Sequence, residues 1–312
     1  MTPIAFMVDD GCPLVHVYRV HWVEVHHRAP VTESGAPLLE TIPNSFLADF
    51  CDLCEHYGVR GKFSIVPAPG GRGDIVRGIE GYPLEETVWW LDTVKAHLLK
   101  GFDISPEGLT HNLAIDLATG STLPVGENEW SQTQTRETLR PYLIRGLELL
   151  KEAGIDATGF TSPWAFGIDV EDEYTAAMMD AQREVWGRED SWYFLHSVSD
   201  KPSRRPWVAR REGTGRLVSI PATVPDLWWR TINEPEADLT AIAHQAYEHS
   251  VRNAEAGGIP VVLTHWQSQF SNGSAAGLQA LEQFFELVHR DGRFTWTRCS
   301  DLAAATPDDA TR

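Results

Sequence analysis

Two adjacent carboxylates, Asp9 and Asp10, follow the apolar run Ile4 to Val8 and precede Gly11. Neighbouring side chains on an extended chain point in different directions, so one carboxylate can hold a cation while the other stays free as a base. An Asp-Asp-Gly string also suits a plain turn. Glu107 and His111 stand four apart after Ser105-Pro106, which reads as a helix start. A helical turn there would put both side chains on one face, within reach of one ion. The alternative is a solvent-facing Glu and a His bonded to a backbone carbonyl. His265 emerges from the apolar run Ile259 to Leu263. An imidazole there titrates near neutrality and suits general acid work, or it simply hydrogen-bonds at a strand end. His16 is close enough to Asp10 to line the same mouth, whereas His21, His26 and His27 read as surface residues of a long loop. Trp89-Trp90 and Trp228-Trp229 read as core, with one of each pair free to wall a cleft.

These residues need positioning, and the apolar pattern predicts how. Short strands at Ile4–Val8, Lys62–Val66, Phe102–Ile104, Ala157–Phe160, Trp192–His196, Leu217–Ile220, Ile259–Leu263 and Phe294–Thr297 alternate with amphipathic segments. The helices fall at 46–57 (closed by Gly58), Leu84–Leu99, Thr138–Ala153, Glu171–Val185, Leu239–Ala256 and Leu278–His289. Such alternation specifies an α/β fold around parallel strands, and its active site belongs at the carboxyl ends of those strands. Asp9, Asp10, Glu107, His111 and His265 all stand there. We expect one domain over residues 1–305 and a frayed polar tail over 306–312.

Composition narrows the partners. Lys and Arg total 26 against 44 Asp and Glu, a net charge of −18, so nucleic acid and anionic membrane surfaces are not expected partners. The 12 Trp residues suit stacking on the apolar faces of sugars. No segment reaches the roughly 20 apolar residues of a membrane span, and no signal-like start precedes the first strand. Cys12, Cys51, Cys54 and Cys299 make no disulfide framework; Cys51 and Cys54 read as helix-face thiols, and the expected compartment is cytoplasmic.

Taken in order over nearly the whole chain, these elements resemble the polysaccharide deacetylase family, metal-dependent carbohydrate esterases with a distorted (β/α) barrel, here of about seven parallel strands. Phe6-Met7-Val8-Asp9-Asp10-Gly11 resembles the family's T-F-D-D-G opening. The stretch Phe46–Val66 resembles the helix and strand that follow it. Gly101–His111 resembles the segment bearing the metal-binding His-x-x-x-His, Phe160–Trp164 resembles R-x-P-aromatic, Val261–Trp266 resembles the late L-x-H motif, and Leu278–Leu302 the closing elements. The resemblance implies Asp9 as catalytic base, Asp10, Glu107 and His111 as metal ligands, and His265 as the acid for the leaving group. It also implies a substrate site lined by Trp164, Thr161, Trp266 and His16, with Trp164 offering a wall and a backbone N–H to the oxyanion.

Two positions depart from that pattern. Glu107 replaces the first metal His, so the ligand set is harder: Zn²⁺ comes first, with Mn²⁺ or another divalent ion as the alternative. Thr161 replaces the motif's Arg, and either another cation holds the base, with Arg19, Arg28 and Arg72 as candidates, or the base is less effective. A carboxylate behind His265 would orient it, and Asp190 and Asp226 both qualify. Three functions fit: a metal-dependent hydrolase of an acetylated sugar or related amide, an altered-reaction barrel such as a C–N hydrolase or glycoside-active enzyme, and a carbohydrate-binding protein on a non-catalytic barrel.

Overall fold

The computed structural model describes residues 1–234 and 236–312. Apart from three small two-stranded sheets, its strands are β1 (Thr2–Gly11), β2 (Gly61–Ile65), β3 (Phe102–Pro106), β4 (Gly159–Thr161), β5 (Ser191–Phe194), β6 (Trp207–Glu212), β7 (Gly215–Ser219), β8 (Val261–His265) and β9 (Phe294–Trp296). One parallel sheet runs β8-β1-β2-β3, with β9 also on β1; a second runs β4-β5-β7-β6, in which only β6 is antiparallel. Isolated parallel bridges join the two sheets at both edges, Ile104 to Ala157 and Glu107 to Thr161 on one side, Val224 to Val262 on the other. Seven of the parallel strands, β1 to β5, β7 and β8, thus follow one another around a distorted ring, with β9 outside that sequence on β1.

Period-two alternation explains both faces of that ring. Ile4, Phe6 and Val8 of β1 join the main cluster beneath the helices, while Ala5 and Met7 join a second cluster with Trp192, Phe194, Val218, Val261 and Leu263. That second cluster fills the interior, and Cys299 and Leu302 of a short helix, Cys299–Ala305, close its lower end. The inward columns continue upward into polar residues: Ala5, Met7, Asp9 on β1 and Val261, Leu263, His265 on β8. Both alternating faces are buried, so the strands read as near-continuous apolar runs.

The helices of eight residues or more are α1 (Val17–Glu24), α2 (Ser45–Tyr57), α3 (Leu84–Ala96), α4 (Arg136–Glu152), α5 (Glu171–Trp186), α6 (Leu239–Glu255) and α7 (Ala276–Asp291). In α2, Phe46, Leu47, Phe50, Cys51 and Cys54 form the buried stripe, and Gly58 stops the helix in the left-handed conformation at φ 63°. Both thiols are therefore helix-face core groups, and all four cysteines are free and buried. Among the described residues no helix is long and apolar enough to cross a membrane.

Two expectations need correction. The segment after β1 is not a plain loop: it contains α1, and His21 on that helix is buried. Its apolar residues span barely two turns, too few for a periodic signal to stand out. The tail is not frayed either. Thr306 O accepts from Arg216 at 2.7 Å, Ala310 O from Val208 N at 3.1 Å, and Arg312 pairs with Glu171 at 3.3 Å.

Candidate active site

Asp9 and Asp10 both line the mouth of the ring because the backbone breaks its alternation between them. Asp10 has φ 67°, and the β1–β2 register shifts between Val8 and Gly11. Gly11 permits this bend, since a Cβ there would lie 2.1 Å from the Phe63 ring. Asp9 stands opposite His265 in the β1–β8 register, which fixes the two groups side by side at adjacent strand ends.

Glu107 and His111 are not on a helix. They flank a tight loop after β3 in which Gly108 and His111 both have φ 53°. The loop is cast around the buried carboxylate of Glu127. That group accepts the backbone N–H of Leu109 (2.8 Å), Thr110 (2.9 Å) and His111 (2.9 Å) and the hydroxyl of Tyr142 (2.7 Å). A Cβ on Gly108 would sit 2.5 Å from the same carboxylate. A buried carboxylate satisfying three amides replaces the helical turn as the device that converges the two side chains. Replacing Glu127 by Ala strands those amides, and we expect metal affinity to fall by about 10–100-fold, the range for groups that orient ligands. Competition with a chromophoric chelator measures this; unchanged affinity would show that the loop holds its shape without Glu127.

The three groups meet at one point. His111 Nε2 lies 2.8 Å from Asp10 Oδ1 and 3.8 Å from Glu107 Oε1, and one donor atom from each residue falls within 4.8 Å of the others. Glu107 Oε2 is committed elsewhere, accepting Asp10 N and Ser64 Oγ at 2.5 Å each. Burial would raise the Asp10 carboxyl, but the His111 imidazolium outweighs it and holds Asp10 well below the usual carboxylate range. Burial together with the charges of Asp9 and Asp10 pushes Glu107 up to about 8. Burial lowers His111, yet Asp10 and then Glu107 overcome this and raise it to about 10. Two buried acids and one imidazole whose donor atoms converge are, once Glu107 and His111 have lost their protons, a donor set for a divalent cation.

The cation beside Asp9 is neither Arg19, Arg28 nor Arg72. Arg19 pairs with Glu40 at 2.8 Å, Arg72 with Glu24 at 2.7 Å, and Arg28 covers the Trp22 ring at 5.5 Å. Lys62, on the neighbouring strand β2 and 0% exposed, reaches Asp9 Oδ1 directly. Its ammonium also donates to Thr161 Oγ1 at 3.0 Å and lies 5.1 Å from the Phe194 ring centroid. Thr161 Oγ1 is in turn 2.8 Å from Ser105 Oγ. Thr161 is therefore a buried support for Lys62, not a lining residue of the cleft. A signal for Lys62 was present: Lys62 and Ser64 alternate within an otherwise apolar strand, the parity of an interior column.

His265 has Asp226, not Asp190, as its partner. Asp226 Oδ2 lies 2.8 Å from His265 Nδ1 and also accepts His265 N and Ser268 Oγ, each at 2.9 Å; Asp190 instead accepts Arg216 N. The Trp229 indole N–H also points at Nδ1, at 3.1 Å. One nitrogen cannot donate to a carboxylate and accept from an indole together, and the carboxylate decides the tautomer, leaving Nε2 for the cleft. Burial lowers the His265 pKa, but the Asp226 hydrogen bond and the Asp10 charge raise it to about 9.

A cleft of 380 Å³ opens above these groups, lined also by Tyr18, Trp164, Phe194, Leu195 and Trp229. Trp164 is 51% exposed with φ 54°, a left-handed conformation that a bulky residue holds only under constraint. Two residues expected in the lining are elsewhere. Trp266 is in the core, with its ring 4.7 Å from Phe46 and 5.5 Å from Phe63, because it starts the helical turn that folds back over β1. His16 is fully buried and caps α1, its Nδ1 accepting Arg19 N at 3.2 Å.

No protein-family model matches the chain, and no curated protein matches it. Solved structures do. A Mycobacterium smegmatis protein assigned to the polysaccharide deacetylases superposes with a TM-score of 0.55 at 14% identity, over 100% of this chain and 95% of its own. A Pseudomonas aeruginosa PAO1 protein assigned likewise gives 0.53 at 13%, over 97% and 89%. The chain has the polysaccharide deacetylase fold. The Puue allantoinase is equally similar to it, with a TM-score of 0.55 at 14% identity over 97% and 89% of the two chains. In this fold the strand ends, the break at Asp10 and the loop cast around Glu127 together gather the candidate groups.

Proposed function

We propose that the protein is a metal-dependent hydrolase that removes an acyl group from an acetylated sugar or a related amide. The observation that carries this reading is the convergence, in one cleft, of a three-residue cation site with a carboxylate on one side and an imidazole–carboxylate pair on the other. Asp10, Glu107 and His111 would hold the ion, Zn²⁺ first and Mn²⁺ as the alternative that two carboxylates favour. A divalent ion there supplies Lewis acidity toward the acyl oxygen and a water.

The remaining steps belong to the chain's own groups. Asp9, aimed by Lys62, takes the proton of the attacking water. His265 enters as the imidazolium that Asp226 stabilises and delivers a proton from Nε2 to the leaving nitrogen or oxygen. Trp164, Trp229 and Tyr18 offer flat faces to the apolar side of a sugar ring. The allantoinase neighbour favours a second reading, hydrolysis of a small amide that is not a sugar, at the same groups. Four free thiols support a reducing, cytoplasmic setting. The deciding experiment compares metal content, after purification without a nickel column, and acetate release from N-acetylated sugars in wild type and Glu107→Ala. Metal and acetate should both be lost in the variant; stoichiometric metal at unchanged affinity would remove Glu107 from the ligand set.

Metal affinity should also climb with pH. Without the ion, Glu107 keeps a proton below about 8 and His111 below about 10, and both must leave before these atoms can coordinate. Binding therefore releases about two protons below pH 8 and about one between 8 and 10, readable as the slope of log affinity against pH. A flat line would mean the site is already deprotonated.

A further inference from the structure

The wall of the cleft carries more than catalysis. We infer that the cleft is blind along its α1 side and takes the free end of a small acylated molecule, neutral or basic, not an internal residue of a polymer. The inference rests on the hydrolase reading above and adds its substrate class.

α1 follows β1 after the short strand Leu14–Val15 and lies against the mouth, held there by side chains of one turn. Towards its C-terminus His21 packs on Trp164 with ring centroids 5.0 Å apart, and near its start Tyr18 packs on Trp229 at 4.9 Å. Trp164 lies in the loop after β4, and Trp229 lies between β7 and α6 with its indole N–H at His265 Nδ1, so a single turn of α1, from Tyr18 to His21, touches both segments. Beyond α1 the chain turns back in a hairpin-like tip closed by Thr32 N to Ala36 O at 2.8 Å and Ala36 N to Thr32 Oγ1 at 3.0 Å. The tip does not hang free. Glu33 N donates to Asn233 Oδ1 at 3.3 Å, Leu39 N to Asn272 Oδ1 at 2.8 Å, and Asn272 Nδ2 to Pro37 O at 3.0 Å. The base of α1 is fastened too, with Glu24 accepting from Arg72 at 2.7 Å and from Asn112 at 2.5 Å.

The result is a wall running from Trp164 through His21 and Tyr18 to Trp229 and Asn233. A polysaccharide reacting at an internal residue must leave the site in two directions, and this wall removes one of them. The cleft volume, 380 Å³, is at the small end of the ~300–1,000 Å³ of ordinary ligand pockets. Glu33 at the rim, Asp9 within and a net charge of −18 repel anionic ligands.

The test uses binding, so that it does not depend on turnover. Trp164 and Trp229 report on the cleft, and quenching of tryptophan fluorescence in the metal-loaded protein is titrated with N-acetylglucosamine, its β-1,4 disaccharide, allantoin, and neutral glycol chitin at high salt. We expect saturable quenching by one or more small probes and at least about tenfold weaker binding of the polymer per acetyl group. Tyr18→Ala with Asn233→Ala unties the wall and should narrow that gap. Equal affinity for polymer and disaccharide in the wild type would overturn the inference while leaving the hydrolase reading intact. If no probe of either size quenches and none is hydrolysed, the hydrolase reading falls and takes the inference with it. Should the double variant not fold, the wild-type comparison alone decides.

Discussion

Asp9→Asn and His265→Ala are each expected to lower kcat by about 10²–10⁴-fold, the range for a positioned acid or base, with metal content unchanged. Neither residue belongs to the three-residue cation cluster, so a fall in activity with full metal separates proton transfer from coordination. The wild-type rate should decline as pH rises through the His265 pKa, because only the imidazolium can serve the leaving group. That pKa is raised to about 9 by Asp226 and by the Asp10 charge against the opposing effect of burial. A cation on Asp10 offsets part of that charge, so the alkaline limb should fall at or below about 9 in the loaded enzyme. Wild-type turnover in both variants would end the acid–base mechanism. Metal and sugar binding with no turnover in the wild type would favour the carbohydrate-binding reading.

Lys62→Met should have the second large effect. It removes one half of a buried pair and leaves the Asp9 carboxylate, 3% exposed, without its counter-charge. Breaking such a pair costs roughly 3–5 kcal/mol of stability, measurable by urea denaturation. The base would also lose its direction, so kcat should fall by about 10–100-fold, as for groups that orient a reacting neighbour. Thr161 touches the same ammonium at 3.0 Å, which suggests a rescue. The double variant Lys62→Met with Thr161→Arg returns a cation from β4, the position where the resembled motif carries its Arg, and should regain much of both losses. Lys62→Met with wild-type stability and kcat would show that the pair is dispensable.

The allocation of this site between local and distant signals follows from strand geometry. Asp9, Asp10 and His265 were legible in the sequence because each directly ends an apolar strand, and parallel strands present their carboxyl ends on one side of the ring. The strand–helix rhythm was legible for the same reason: periods of 2 and 3.6 are local properties. The convergence of Glu107 with His111 was expected, but for the wrong cause, since the turn is shaped by Glu127, a residue 16 positions beyond His111 in the chain.

What only the tertiary structure decided is which charge meets which. Lys62 reaches Asp9 across 53 residues, Asp226 reaches His265 across 39, and Thr161 supports Lys62 across 99. No spacing rule connects such pairs, because register between strands, not distance along the chain, brings them together. Trp266 shows the converse. It sits beside His265 in sequence, yet a single helical turn after β8 swings its ring into the core against Phe46 and Phe63. The family resemblance placed it in the cleft, and the reversal of direction at the strand end removed it.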